Sequence, residues 1–554
     1  MPVSIQPVRR DCGPCVAAGT LLFAVAALTV HPGLRAQAAS TTSTAPTATT
    51  APKAPASAGK VMLKAVVFRG NSVVSDTTLQ SLAAPYIGMN VTLTDLETLA
   101  AQVTQAYRAQ GYFLALAVVP QQAIQGGTVE ISVLEGRLGK VDVRVAANAP
   151  ISEQRIRAIT GRLRPGAALE QKSYERAMLL MSDWPGIRVQ AGLEQGLETG
   201  TTDLIVEVEV ANRRWEASVD VDNFGTQASG RERASASLRY ASPFRIGDNI
   251  DARLMSSSNA GQSLGRLSYE APIGARGLRV GVGGSRVGYE LGGQYQALGV
   301  SGTAQVVDAS LSYPLIRSRA RNLFLRATGE SKRLRDQTQA VGIDTHKNID
   351  AVSVALNWEA RDTRLGGGYF SAGATAYTGR LRFRDDQSRS NDQSALGRQT
   401  EGRFSRLNLQ ASRLQALFGR HNLYGSVTAQ LASRNLDASE KLALGGDRAV
   451  RAYPSGELLV DTGWMATAEW RYSATDDLVV ALFYDAAQGR QAKSPGALDT
   501  TNSRQLRGPG IGVTWNAPYK FTLRGSVAWR NTEPAVSDGG SSNPRLMVQV
   551  QKAF

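Results

Sequence analysis

Phe521-Thr522-Leu523-Arg524-Gly525-Ser526-Val527-Ala528-Trp529-Arg530 sets Phe521, Leu523, Gly525, Val527 and Trp529 on one side of an extended chain and Thr522, Arg524, Ser526, Ala528 and Arg530 on the other. Successive side chains of a strand point to opposite faces, so this is one apolar and one polar face. The pattern recurs upstream. Val352, Val354, Leu356 and Trp358 alternate with Ser353, Ala355, Asn357 and Glu359. Trp464, Ala466, Ala468, Trp470 and Tyr472 alternate with Met465, Thr467, Glu469 and Arg471, and Leu423 to Leu431 repeats the scheme. A soluble sandwich also alternates, so the decision rests on length and on what each face carries. Segments of about ten residues match a tilted bilayer crossing, and aromatics near their ends suit interfacial girdles. In the cleanest strands the arginines share the polar face, avoiding the roughly 2–4 kcal/mol that an arginine costs on the lipid face at mid-bilayer. From Trp215 onward roughly sixteen such segments, give or take two, are separated by Gly, Asn, Asp, Ser and Pro. Leu546, Val548, Val550 and the terminal Phe554 share one face of the last. The expected fold over 212–554 is a transmembrane β-barrel of about 16 antiparallel strands.

Ahead of it the texture differs. Leu63 to Phe68 reads as a strand and Gly70-Asn71 as a turn; a helix follows from Asp76 to Ala84 with Ser75 as N-cap. Leu93, Leu96, Leu99, Val103, Ala106 and Tyr107 recur at helical spacing, and Gly111 ends that helix as its C-cap. Tyr112 to Val119 is an apolar strand, Gly126-Gly127 a turn, and Val129, Ile131 and Val133 mark another strand. The order then repeats: strand Lys140 to Ala146, helices Glu153 to Ile159 and Leu169 to Met181, strands Ile187 to Leu193 and Asp203 to Val210. Two α+β modules, 61–136 and 137–211, are expected.

The N-terminus reads as a processing segment. Arg9 and Arg10 precede a mostly apolar Cys15 to Val30, and Ala36-Gln37-Ala38 is a cleavage site, giving a signal peptide over 1–38. Residues 39–60, rich in Ala, Thr and Pro, form a linker that cannot bury enough surface to order itself. Cys12 and Cys15 both lie in the leader, so the mature chain has no disulfide, and their C-x-x-C spacing lacks a folded context. After Ala38 no apolar run is long enough for a transmembrane helix.

A net charge of +15 could suit nucleic acid. The arginines alternate along strands rather than cluster with stacking aromatics, so no nucleic-acid partner is expected. Catalysis finds no footing either. The mature chain holds only His346 and His421, without a Ser/Asp or metal-ligand neighbourhood, and no G-x-x-x-x-G-K-[ST]. Gly281-Val282-Gly283-Gly284 lacks the third glycine of a dinucleotide loop, and reads instead as glycines that let a strand bend. No enzyme, cofactor or metal site is expected.

Several stretches carry a family resemblance. Gln110-Gly111-Tyr112 and Leu134-Glu135-Gly136 resemble motifs of POTRA (polypeptide-transport-associated) domains; Tyr269-Glu270-Ala271-Pro272 and Tyr313-Pro314-Leu315-Ile316-Arg317-Ser318-Arg319 are similar to strand-end motifs of the two-partner secretion transporters, the hemolysin secretion/activation proteins of the ShlB/FhaC/HecB type. The most specific match is Leu444-Gly445-Gly446 through Val450-Arg451-Ala452-Tyr453-Pro454, then Gly456-Glu457, Asp461 and Gly463. It resembles the sixth extracellular loop of the superfamily, which folds back into the barrel. The resemblance covers Val61 to Phe554 and implies two periplasmic POTRA domains, a barrel in the outer-membrane lipid inserted by the barrel assembly machinery through the C-terminal Phe554, and no catalyst. It also implies that Arg451 reaches an aspartate on the inner wall, which here is Asp485 in Phe483-Tyr484-Asp485-Ala486-Ala487. Two departures stand out: Ala452 replaces the widespread glycine after the arginine, and Ala487 replaces the family's glycine two positions after the aspartate. Many members carry an N-terminal plug helix; 39–59 is too proline-rich to form it, so no plug helix, or only a short one, is expected. The implied activity is export of a large TpsA-type hemolysin or adhesin, captured by strand addition to a POTRA edge and threaded through the lumen. The rivals are a barrel insertase, which usually carries more POTRA domains, and a passive porin, which needs none.

Overall fold

The structure, a computed structural model, describes residues 59–211, 213–496, 499, 501–537 and 542–554. The expected leader, nearly all of the linker and the question of a plug helix lie outside the described residues.

In the first module, β1 (Ala65–Arg69) lies parallel to β3 (Thr128–Leu134), and β2 (Leu116–Val118) lies antiparallel on the other side of β3. Helices α1 (Asp76–Ala83) and α2 (Leu93–Ala109) cover one face. Ser75 caps α1 by accepting from Thr78 N–H, and Thr92 with Asp95 forms a capping box on α2. The helical stripe Leu96, Leu99, Val103 and Tyr107 is buried against Val66, Phe68, Val129, Ile131 and Val133. Each such side chain contributes about 1.5–3 kcal/mol by leaving water. Two boundaries differ from expectation. The C-cap of α2 is Gln110, and Gly111 follows it at φ +95°, the left-handed position that glycine takes without strain. Of the expected strand Tyr112 to Val119, only Leu116–Val118 pairs. Tyr112 N–H turns back to Tyr107 O, and Phe113 leaves the sheet to meet Tyr174 of the second module, ring centroids 5.8 Å apart.

The second module repeats the plan with β4 (Arg137–Val145), α3 (Glu153–Thr160), α4 (Gln171–Ser182), β5 (Ile187–Gln195) and β6 (Thr201–Val210), in the sheet order β4-β6-β5. It is bolted to one end of the barrel. Arg317, its side chain 2% exposed, donates from Nε to Asp183 Oδ2 at 2.8 Å and from Nη2 to Oδ1 at 2.5 Å. Arg176 donates to Pro314 O, and Ser242 Oγ to Pro185 O. Gly247, at φ +80°, lets the chain pass over Trp184: a Cβ there would stand 2.7 Å from the indole. The strand-end motif Tyr313–Arg319 is therefore half of an interdomain clamp.

The barrel closes with sixteen antiparallel strands among the described residues. They are β7 (Trp215–Asp222), β8 (Arg233–Ala241), β9 (Asn249–Ser257), β10 (Gln262–Ile273), β11 (Leu278–Glu290), β12 (Val300–Arg317), β13 (Arg321–Thr338) and β14 (Ile343–Asp362). The second half runs β15 (Gly368–Phe383), β16 (Gly402–Ala416), β17 (His421–Ala432), β18 (Thr462–Ser473), β19 (Leu478–Arg490), β20 (Ser503–Ala517), β21 (Phe521–Ala528) and β22 (Arg545–Ala553). β22 pairs with β7 from Gln549↔Asp222 to Ala553↔Ser218, and Phe554 N–H reaches Ala217 O at 2.9 Å. The alternation decides the two faces: Val352, Val354, Leu356 and Trp358 are exposed outward, as are Trp464, Trp470, Leu546, Val548 and Phe554.

Strand length departs from the expected ten residues. β14 has 20 residues, and β12 and β13 have 18 each. Their extra residues, at the end remote from the modules, turn polar side chains outward (Ser301, Thr303 and Gln305 on β12, Arg333 and Arg335 on β13, Asp344 and Asp350 on β14), so they stand clear of an apolar band. Gly283 has a further role: β11 pairs without a register shift. A Cβ on Gly283 would meet Arg266 Nη2 at 2.7 Å and Asp308 Oδ1 at 3.0 Å, so its bare backbone makes room for that ion pair inside the barrel.

A loop locked inside the barrel

Between β17 and β18 the chain runs from 433 to 461, beginning at the rim, where Arg434 donates to Gln399 O, and burying Leu444, Val450, Tyr453, Leu458 and Val460 further along. Asp485 lies on the inward face of β19, since its neighbour Tyr484 is exposed outward. The loop brings Arg451 to it. Arg451 Nε donates to Asp485 Oδ2 at 2.8 Å, Nη2 to Oδ1 at 2.8 Å, and the Arg451 backbone N–H to Oδ2 at 3.1 Å. Thr467 Oγ1 adds a fourth bond at 2.9 Å. The carboxylate is fully buried, and these four bonds come from the loop and β18. A bidentate, charge-assisted pair is the strong form of this interaction.

Two further partners of Arg451 went unnoticed in the sequence. Its Nη1 donates to Glu469 Oε1 at 2.8 Å, and its guanidinium lies 3.3 Å from the centroid of the Phe483 ring, a cation–π contact. Glu469 stands directly opposite Phe483 across the β18–β19 ladder and also holds Arg471. The signal was present: Glu469 and Phe483 are inward positions of strands whose alternation is legible.

The rest of the motif fills the space behind the arginine. Val450, Ala452, Tyr453 and Pro454 are buried, the first three packed with Leu444, Leu458, Val460, Leu506 and Ala528. Tyr453 OH donates to Glu533 O at 2.7 Å. The two departures from the family pattern have a local explanation. The Ala452 methyl sits 2.7 Å from where a Cβ on Gly508 would be, so the glycine faces the loop from the wall instead of sitting in it. Ala487 is buried in the same cluster.

A second anchor holds the loop's entry. Glu440 and Lys332 are both fully buried and meet at 2.6 Å, with Arg406 Nη2 3.1 Å from the other Glu440 oxygen. Lys332 also reaches Glu330 at 2.9 Å, and Arg406 lies 4.1 Å from the Tyr377 ring centroid. Asp437 pairs with Lys347 at 2.7 Å. Gln430 Nε2 donates to the carbonyls of Glu440, Val460 and Asp461. The loop is thus tied to β18–β19 at its tip and to β13, β14 and β16 at its base. Because each buried charge is paired, removing one partner strands the other in a dry site.

In the first module Glu135 plays a comparable part. It accepts from Ser72 N–H, Ser72 Oγ, Val73 N–H and Tyr107 OH. Burial alone would raise its carboxyl; these donors override that and hold it below the usual glutamate range.

A closed barrel with its lumen occupied by its own loop and its mouth carrying α+β modules defines an outer-membrane transporter. The chain belongs to the family described as haemolysin secretion/activation protein ShlB/FhaC/HecB, whose model matches residues 200–515; residues 61–136 match the ShlB-type POTRA domain. It is 27% identical over 470 residues to the heme/hemopexin transporter protein HuxB of Haemophilus influenzae strain 86-028NP, covering 84% of this chain and 82% of that one. It is 22% identical over 485 residues to the outer membrane transporter CdiB of Dickeya dadantii, covering 85% and 83%. The solved structure of CdiB from Escherichia coli superposes with a TM-score of 0.71 at 19% identity, covering 92% of this chain and 93% of that one. The barrel lies in the outer membrane with its modules in the periplasm, so the clamped turns mark the periplasmic end.

Proposed function

We propose that this chain exports a large hemolysin- or adhesin-type partner through its barrel by two-partner secretion. The observation that carries the reading is the loop pinned in the lumen by Arg451 and Asp485 above modules clamped to the periplasmic mouth: a route with a gate and a receiving platform. Residues 137–211 act as a second POTRA domain. The edge strands are β1 and β2 in the first module and β4 and β5 in the second. An unfolded segment adds to one of them by backbone pairing, which tolerates many sequences. The partner then displaces the loop and threads past the polar inner wall. No nucleotide is needed, since folding outside supplies direction. Phe554 serves as the terminal aromatic by which the assembly machinery recognises the unfolded barrel.

The test is secretion of a candidate partner by cells expressing the intact chain or a deletion of 61–211, with surface levels of unrelated barrels followed in parallel. Loss of secretion with other barrels normal and the truncated barrel inserted supports export. Normal secretion with failed assembly of other barrels would instead make the chain an insertase.

A further inference from the structure

The outer wall above the apolar band of β13–β16 carries a cluster of arginines that transport does not use. Arg333 on β13, Arg380 and Arg382 on β15 and Arg403 on β16 are exposed and share the outward parity of Val352 and Leu407. The register places them side by side: Arg333 opposite Asn348, Asn348 opposite Arg382, Asp350 opposite Arg380, and Arg380 directly opposite Arg403. Neighbouring strands lie about 4.8 Å apart, so the four arginines form a band at one height across three strand spacings, roughly 14 Å wide. The nearby acids are already committed, Asp350 to Arg382 at 2.9 Å and Asp344 to Arg335 at 2.6 Å. Arg333, Arg380 and Arg403 have no side-chain hydrogen bond or ion pair among the described residues. Like charges directly opposite across a ladder are destabilising, and Asp350, the one carboxylate directly opposite Arg380 in these ladders, is shared with Arg382, so the Arg380–Arg403 pair is only partly compensated by protein.

Immediately below, on the membrane side, a groove runs over the outer wall between the apolar Val352, Val354, Ala376, Leu407 and Leu431, with Thr378, Ser405 and Ser433 also lining it. A small side chain makes its floor: Ala376 faces outward between Val354 and Leu407. Three unpaired cations above a groove of acyl-chain dimensions describe one amphiphile. We propose that this face binds a phosphorylated glycolipid of the outer leaflet, its phosphates between Arg333, Arg380 and Arg403 and an acyl chain in the groove. The extended β12–β15 strands are the structural means: they lift the arginines to headgroup height, where anionic lipid attracts juxtamembrane cations.

The full-length transporter, purified in mild detergent, would be titrated with diphosphoryl lipid A, its dephosphorylated form and inorganic phosphate, reading bound lipid by native mass spectrometry. The comparison variants are Arg333→Gln/Arg380→Gln/Arg403→Gln and, at the periplasmic rim, Arg319→Gln/Arg361→Gln/Arg420→Gln. The proposal expects one tightly held diphosphoryl lipid, affinity lower by roughly tenfold or more in the first triple variant, and no change in the second. Equal retention by both variants overturns it. Equal binding of the dephosphorylated lipid overturns the role of the phosphates. Displacement of the lipid by inorganic phosphate at the same concentration marks a free-anion site and overturns the lipid reading. The lipid comparison uses the unaltered protein, so it decides even if the first variant fails to fold.

Discussion

Replacing Asp485 with asparagine removes the charge that Arg451 was built to meet while keeping the side chain's size. The structure sets the scale. Breaking one side of a buried ion pair costs about 3–5 kcal/mol because the other charge is stranded. Arg451 keeps Glu469 and the Phe483 ring, which puts the loss at the low end, about 3 kcal/mol. If the docked loop is in equilibrium with a displaced one, that shift raises the displaced population roughly hundredfold, at about 1.4 kcal/mol per factor of ten. A cysteine introduced at Ser455, near the loop tip, can report it, because no other cysteine occurs after Cys15. The rate of its modification by an impermeant maleimide on intact cells, compared between the unaltered barrel and the Asp485→Asn variant, measures the displaced fraction. The double change Arg451→Met with Asp485→Asn restores slower labelling, since no unpaired charge remains. An unchanged rate in the single variant, with the barrel still resisting unfolding in detergent, would refute the idea that this pair holds the loop.

Lys332→Met leaves Glu330 without its cation and Glu440 with Arg406 alone, and barrel stability should fall by about 3 kcal/mol, the low end of the cost of stranding a buried charge, seen as a lower temperature for loss of the compact band on gels. Arg317→Ala frees Asp183 and should release the second module from the barrel, read as faster proteolysis between 137 and 211 with the barrel intact. Glu135→Gln should cost the first module about 1.5–3 kcal/mol of charge-assisted hydrogen bonding. Because its folded pKa is depressed, the stabilisation from Glu135 is complete above its ordinary value of 4.5 and lost as pH falls through the lower folded value. Acid unfolding of the unaltered module should therefore steepen below about pH 4.5, and the Gln variant should lack that component.

The barrel was legible because a lipid-facing wall forces a period of two: Val352 to Trp358 could face only one solvent. The module helices were legible for the same kind of reason, with Leu96, Leu99 and Val103 at helical spacing. Arg451 and Asp485 came together through motif resemblance; 34 positions separate them, and alternation says only that Asp485 faces inward. The base of the loop had no signal at all. Lys332 and Glu440 are 108 positions apart, and a contact between a loop and a distant strand has no period to betray it. Strand length was misjudged because the apolar band measures only the membrane crossing, whereas β12 to β15 continue beyond it as polar, water-facing hairpins. Phe113 escaped because an apolar residue next to a strand reads as strand, while its ring here serves the next module.

The central claim is that the partner passes through the lumen. A photoreactive phenylalanine analogue at the inward positions Thr328 and Ser426, and at the outward positions Val354 and Trp470 as controls, can be illuminated while a stalled partner fusion occupies the transporter. The account predicts crosslinks to the partner from Thr328 and Ser426 and none from Val354 or Trp470. Crosslinks confined to the outward positions would contradict it and place the path along the wall rather than through the barrel.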